Sequence, residues 1–194
     1  MAKGFNPLIR KAQPAGKKVI IIGATSGIGK GLALLYLEQG CSVGITGRRT
    51  EELEAVKNQY PDTTFYKTMD VMKDNCVQFF EELINDMGGM DLIVYCAGIG
   101  AQNPNLNDDI EINTIFTNVT GFARILIYSY NYFKVRNKGH IVTISSLAGI
   151  RPLRQSPAYS ATKRYQIHYT SCLAQKANNE KLPLKFTTIV PGFI

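Results

Sequence analysis

Two hydrophobic patterns alternate along this chain. Short uninterrupted apolar runs recur, and between them apolar residues return every three or four positions. The run Val19-Ile20-Ile21-Ile22 predicts a strand buried on both faces. Leu32, Leu34, Leu35 and Leu37 then keep a helical spacing that Gly40 stops. A second strand is expected over 42–46, ending at Gly47-Arg48-Arg49. Thr50 is expected to cap a helix whose Glu51 and Glu52 suit the helix dipole. The same patterns predict a strand over 64–68 ending at Asp70, a helix over 73–87 closed by Gly88-Gly89, and a strand over 92–95 leading to Cys96-Ala97-Gly98. Residues 99–109, rich in Gly, Asn and Asp, read as a loop, and one long helix is expected over 110–136. A strand over 140–144, a loop over 145–157, a helix over 158–179 and a strand over 185–190 complete the pattern before Pro191-Gly192.

Strands separated by helical segments argue for βαβ units in a parallel sheet, with helices on both faces in three α/β/α layers. Six strands fit the doubly wound order 3-2-1-4-5-6, in which ligands bind beyond the carboxyl ends of the strands. A polar lead-in is expected over 1–16 and a single domain over 17–194. A chain of 194 residues buries roughly 70% of its unfolded surface, enough for a sizeable core.

Composition narrows the function classes. The chain is 45% hydrophobic and 19% charged, as in globular proteins. No apolar run approaches the roughly 20 residues of a membrane span, and the opening Met-Ala-Lys-Gly-Phe-Asn-Pro holds no apolar signal core. The expected setting is the cytoplasm, with no membrane partner. Cys41, Cys76, Cys96 and Cys172 are scattered, which argues against a metal site or a disulfide framework. His140 and His168 stand alone and read as structural. The net charge of +7 suits an anionic ligand, but the basic residues are dispersed, so nucleic acid is not the expected partner.

Three stretches carry candidate chemistry. Gly23-x-x-x-Gly27-x-Gly29 falls between a strand and a helix, where glycine lets the backbone turn sharply and approach a pyrophosphate held at the helix N-terminus. NAD-selective sites place a carboxylate roughly 20 residues past such glycines to hold the ribose 2′-hydroxyl. Here that place is Gly47, followed by Arg48 and Arg49, whose guanidinium groups suit a 2′-phosphate and favour NADP(H) over NAD(H). Finally, Tyr159 and Lys163 lie four apart on a predicted helix and project from one face. Forming a phenolate at neutral pH costs about 4 kcal/mol, part of which a neighbouring cation recovers. Such a pair suits proton exchange with a carbonyl/alcohol couple.

The glycine turn, Cys96-Ala97-Gly98, Asn118-Val119-Thr120-Gly121, Ser145-Ser146, Tyr159-x-x-x-Lys163 and Pro191-Gly192 occur in the order and spacing of the short-chain dehydrogenase/reductase family, which residues 17–194 resemble. The resemblance implies a Rossmann-type fold and reversible hydride transfer between NADP(H) and a ketone or aldehyde and its alcohol. It implies Tyr159 as general acid/base, with Lys163 stabilising its phenolate and bonding the nicotinamide ribose. Ser146 would hold the substrate oxygen, with Ser145 as its structural partner, and Asn118 would anchor a water linking Lys163 to solvent. Gly23, Thr25, Ser26, Gly27, Ile28 and Gly29 would line the pyrophosphate. Asp70 and Val71 match adenine contacts, Ala97 and Gly98 a ribose-side turn, and Pro191, Gly192 and Ile194 the segment along the nicotinamide. Asp70 also reads as a helix-capping aspartate.

Three departures from the family pattern stand out. Ile22 replaces a usual Thr, and Tyr95-Cys96 replace the usual Asn-Asn; both remove side-chain hydrogen bonds expected to brace the sheet and turn. Family members also continue past the position of Ile194 with a lid, a helix and an edge strand, so an incomplete chain is expected, its last strand an unprotected edge. The resemblance further implies a homodimer or homotetramer packed through the helices over 110–136 and 158–179. Two rival readings are a non-catalytic NADP(H)-binding sensor or scaffold, and a 3-oxoacyl carrier-protein reductase with Arg151 and Arg154 receiving an acidic carrier.

Overall fold

The computed structural model describes residues 16–192. Residues 1–15 of the expected lead-in over 1–16, and the expected cofactor contact Ile194, lie outside the described residues. Six strands form one parallel sheet in the order β3-β2-β1-β4-β5-β6. They are β1 (Lys18–Ile22), β2 (Ser42–Gly47), β3 (Thr64–Thr68), β4 (Leu92–Tyr95), β5 (Gly139–Ile144) and β6 (Leu184–Ile189). The expected Rossmann-type strand order is therefore the observed one.

The central strands are apolar on both faces because helices cover both. Val19, Ile21, Val43, Ile45, Leu92 and Val94 pack with Ala33 and Leu37 of α1 (Gly27–Glu38) and with Leu53 and Val56 of α2 (Thr50–Gln59). On the opposite face, Ile20, Ile22, Ile93 and Tyr95 meet α3 (Cys76–Asp86), α5 (Phe122–Arg136) and α6 (Pro157–Asn179). At the end of the sheet β6 alternates instead: Leu184, Phe186 and Thr188 are half-buried while Lys185, Thr187 and Ile189 are exposed.

The structure corrects the expected helices in three places. The long helix over 110–136 is divided into α4 (Asp108–Ile115), a π-helical turn (Phe116–Gly121) and α5. Thr117, Val119, Thr120 and Gly121 are weak helix formers, and Gly121 packs so closely on Val71 that a Cβ would sit 2.8 Å from the Val71 side chain. Thr50 does not cap α2; it is the first helical residue, and its hydroxyl lies 2.8 Å from that of Thr68. The helix expected from residue 73 starts at Cys76, because Asp70 folds the chain into a turn by accepting the Met72 N–H at 3.0 Å. Within the loop over 145–157, Leu147–Gly149 forms a short 3-10 turn.

Candidate active site

A cleft of ≈ 780 Å³ opens across the carboxyl ends of β1, β2, β4 and β5. Its first wall is the turn after β1. Gly23 has φ +89, and a Cβ there would lie 2.6 Å from the Ala97 backbone N and Cα. A Cβ on Gly29 would run into the Gly23 carbonyl. The two glycines therefore let the β1–α1 turn, the first turn of α1 and the end of β4 share a space that any side chain would fill. Gly27 enters α1 with φ +54, facing open space. Main-chain bonds brace the turn: Thr46 O accepts from Gly23 N at 3.0 Å and Ala24 N at 2.8 Å, and Ile22 O accepts from Cys96 N at 2.8 Å. Ile22 itself, where the family usually has Thr, is fully buried in the core.

Thr25, Ser26, Ile28, Arg48, Arg49, Asp70 and Val71 line the same end of the cleft. Arg49 folds over the glycine turn, its Nη2 donating to Thr25 Oγ1 at 2.9 Å and Ser26 Oγ at 2.8 Å. Arg48 is exposed, with no partner among the described residues. A side chain at Gly47 would run into Thr25 Cγ2, so a carboxylate there would require the Thr25 side chain to move aside. The cradle around Gly23 and Gly29, the hydroxyls of Thr25 and Ser26 and the two guanidinium groups fit a phosphorylated dinucleotide.

The other end of the cleft is built on α6. Tyr159 and Lys163 both line it, as do Ala97, Gly98, Ser145, Leu153 and Ser156. Pro157 at the first turn and the N-cap position of Ser156 start the helix, and Glu111 Oε2 accepts the Ala158 N–H at 2.9 Å. The Tyr159 ring packs against Gly100, where a Cβ would collide with it. The Lys163 Nζ stands 5.8 Å from the centroid of that ring. Lys163 is only 5% exposed, and burial pulls it from the ordinary lysine value of 10.5 down to about 8. Its Nζ donates to Ile144 O at 3.2 Å and to Gln166 Oε1 at 3.1 Å. Burial pushes the neighbouring Cys96 thiol up to about 12.

Asn118, Ser146, Pro191 and Gly192 sit beside the cleft rather than in its lining. Asn118 is fully buried. Its side chain exchanges bonds with the Ile99 backbone at 2.9 and 2.8 Å and donates to Thr162 Oγ1 at 3.0 Å. Its carbonyl accepts from Gln166 Nε2 at 3.0 Å. Ser145 Oγ donates to Lys163 O at 2.8 Å and so ties β5 to α6. Ser146 is half-buried and caps the 3-10 turn, its Oγ accepting from Ala148 N at 3.2 Å. Pro191 O accepts from Leu147 N at 2.9 Å, and Gly192 lies near the Leu147 side chain. Tyr95 is fully buried edge-on to Phe122, its hydroxyl unpaired among the described residues and held protonated by burial. Sequence reasoning missed Gln166 and Thr162, although both are polar residues close to Tyr159 and Lys163 on a buried helix.

A glycine-cradled cleft at the strand ends of a doubly wound parallel sheet defines a dinucleotide-binding α/β protein. The chain belongs to the short chain dehydrogenase family, whose model matches residues 17–194. It is 33% identical to an "Uncharacterized oxidoreductase" of Myxococcus xanthus, covering 94% of this chain and 74% of that one. It is 31% identical to a "Dehydrogenase/reductase SDR family protein 7-like" of Dictyostelium discoideum, covering 92% of this chain and 59% of the relative. Among solved structures, "ElxO with NADP Bound" matches with a TM-score of 0.84 and 26% identity over 92% of this chain and 74% of that one. "Crystal Structure of NAD+-Bound Xylitol Dehydrogenase" matches with a TM-score of 0.86 and 25% identity over 92% and 71% of the two chains. Among the described residues, no helix is long and apolar enough to cross a membrane.

Proposed function

We propose that this chain interconverts a ketone or aldehyde and the corresponding alcohol, with NADP(H) in preference to NAD(H). The observation that carries the reading is that Tyr159 and the buried Lys163 line the same cleft as the glycine turn, Arg48 and Arg49. When bound, the dinucleotide supplies or takes up a hydride. Gly23 and Gly29 would let its pyrophosphate approach the backbone, and Arg48 and Arg49 would meet a 2′-phosphate. Tyr159 would give its hydroxyl proton to the carbonyl oxygen in reduction and take it back in oxidation. Lys163 would favour the phenolate left behind, and Ser146 would stabilise the oxygen as charge develops, by turning its hydroxyl toward the substrate. In that arrangement Asn118 holds the loop after β4 against α6, so that Gly98 and Lys163 border one space.

The test is a carbonyl-substrate screen with NADPH and NADH on the wild-type protein and on Tyr159→Phe. The expected result is NADPH oxidation by the wild type, with loss of at least about two orders of magnitude in turnover but unchanged NADPH binding in the variant. Full reductase activity in Tyr159→Phe would overturn the proposal. Tight NADPH binding without turnover on any carbonyl would instead establish a sensor or scaffold. For assembly, Ile112, Ile115, Phe116, Ile127 and Val135 expose apolar surface on and between α4 and α5, which favours packing against a second copy. Light scattering that returns a monomer would contradict this.

A further inference from the structure

Gln166 lies on α6 three positions after Lys163 and is 0% exposed. A buried amide that leaves its polar atoms unpaired is costly, and here both ends are used. Nε2 donates to the Asn118 carbonyl at 3.0 Å, and Oε1 accepts from Lys163 Nζ at 3.1 Å. The partners fix the orientation: a carbonyl can only accept, and a lysine ammonium can only donate. The π-helical turn makes the Asn118 carbonyl accessible, since the Phe122 N–H bonds to Val119 O instead. Thr170 Oγ1 then anchors the same helical turn, donating to Gln166 O at 2.8 Å and lying 2.9 Å from Thr143 Oγ1 of β5.

We propose that Gln166 is a positioning residue for Lys163: it ties the lysine nitrogen to the Asn118 carbonyl, so that two N–H groups bond inward and the third faces the cleft. The inference rests on the proposed role of Lys163 beside Tyr159. Ile144 O and Gln166 Oε1 are neutral acceptors that favour the charged amine and oppose the effect of burial. The titratable groups facing the lysine are Tyr159 on its own helix and Cys96 at the end of β4. From β5 the lysine nitrogen bonds to the Ile144 carbonyl, and the π-helical turn reaches it through Gln166, which bonds to the Asn118 carbonyl. Gln166 thereby links proton affinity at the lysine to the segment that carries Asn118.

The test is titration of the Lys163 ε-carbon by NMR in protein labelled with [13C]lysine, with the resonance assigned through Lys163→Arg. In Gln166→Met, which keeps the bulk but neither hydrogen bond, Lys163 is expected to titrate about one pH unit below the wild type. An unchanged titration in a variant that melts cooperatively would overturn the proposal. If Gln166→Met does not fold, Gln166→Glu decides: its carboxylate places an anion at the same atom and is expected to move the titration upward, and no movement would overturn the proposal. Opposite shifts in the two variants are not produced by a loss of packing alone. Because the titration needs no turnover, a wild type that reduces no carbonyl would refute the proposed reaction while the lysine data still judged Gln166. An unchanged titration beside normal turnover would refute only the role of Gln166.

Discussion

Replacing Lys163 by methionine preserves the length of the side chain and removes its charge. The lysine is 5% exposed and titrates at about 8 in the folded protein, against 10.5 for an ordinary lysine. Between those two values the unfolded chain holds more protons than the folded one, so this group makes stability rise with pH. Below about pH 8 the folded protein bears the whole penalty of a buried charge, which at about 1.4 kcal/mol per pH unit amounts to about 3 kcal/mol. Methionine removes that penalty but leaves Gln166 Oε1 and Ile144 O without their donor, at a cost of about 1–3 kcal/mol for each buried acceptor. The orphaned acceptors cost the same at every pH, so the pH dependence isolates the charge. Urea denaturation followed by circular dichroism, at about pH 7.5 and about pH 10, should show the wild type gaining about 2–3 kcal/mol on Lys163→Met at the higher pH. A stability difference that stays constant across this range would refute the reasoning, and would mean that the site accommodates the charged amine without penalty.

Three further outcomes follow from particular contacts. Gly23→Ala combines a Cβ 2.6 Å from the Ala97 backbone with a φ of +89, and should lose about 3 kcal/mol in urea denaturation; unchanged stability would mean that the turn relaxes freely. Tyr95→Phe removes a buried hydroxyl unpaired among the described residues and should gain about 1–2 kcal/mol, seen as a higher melting temperature; a lower one would contradict this. Glu111 accepts from Asn103 Nδ2 and from Ala158 N, each at 2.9 Å. Glu111→Ala should therefore cost about 2 kcal/mol and Glu111→Gln, which keeps one acceptor, about half of that; equal thermal stability in all three proteins would rule out the bridge.

The sheet was legible in the residues because its central strands are covered on both faces. Burial on two sides demands an unbroken apolar run, and 92–95 has the observed bounds of β4; at one edge of the sheet β3 is only half covered, yet 64–68 also has its observed bounds. The division of the helix over 110–136 was not legible, since a π-helical turn barely disturbs an apolar periodicity. Its weak helix formers at 117 and 119–121 were the available signal. In the site, spacing along one helix brought out Tyr159 and Lys163, whereas the bonds of Asn118 depend on three segments meeting in space. Gln166 could have been found. Tyr159, Lys163, Gln166 and Thr170 follow one another at spacings of four, three and four, a polar stripe running down one face of a helix whose Lys163, Gln166 and Thr170 are all buried. Such a stripe needs internal partners, which draws attention to whatever lies opposite it. The position of Ser146 at the cap of a 3-10 turn depended on how the loop after β5 folds, which its residues do not announce.

The bonds around Asn118 bear on how the protein meets its ligands. They stitch the loop after β4 to the middle of α6, so the end of the cleft lined by Tyr159 and Lys163 is braced by the protein's own hydrogen bonds. At the opposite end Arg48, without a partner among the described residues, stands in solvent. The entropy lost on binding then falls on a long exposed guanidinium arm rather than on the backbone around Lys163. A change at Arg48 can in this way alter how that end meets a ligand while Tyr159 and Lys163 keep their places.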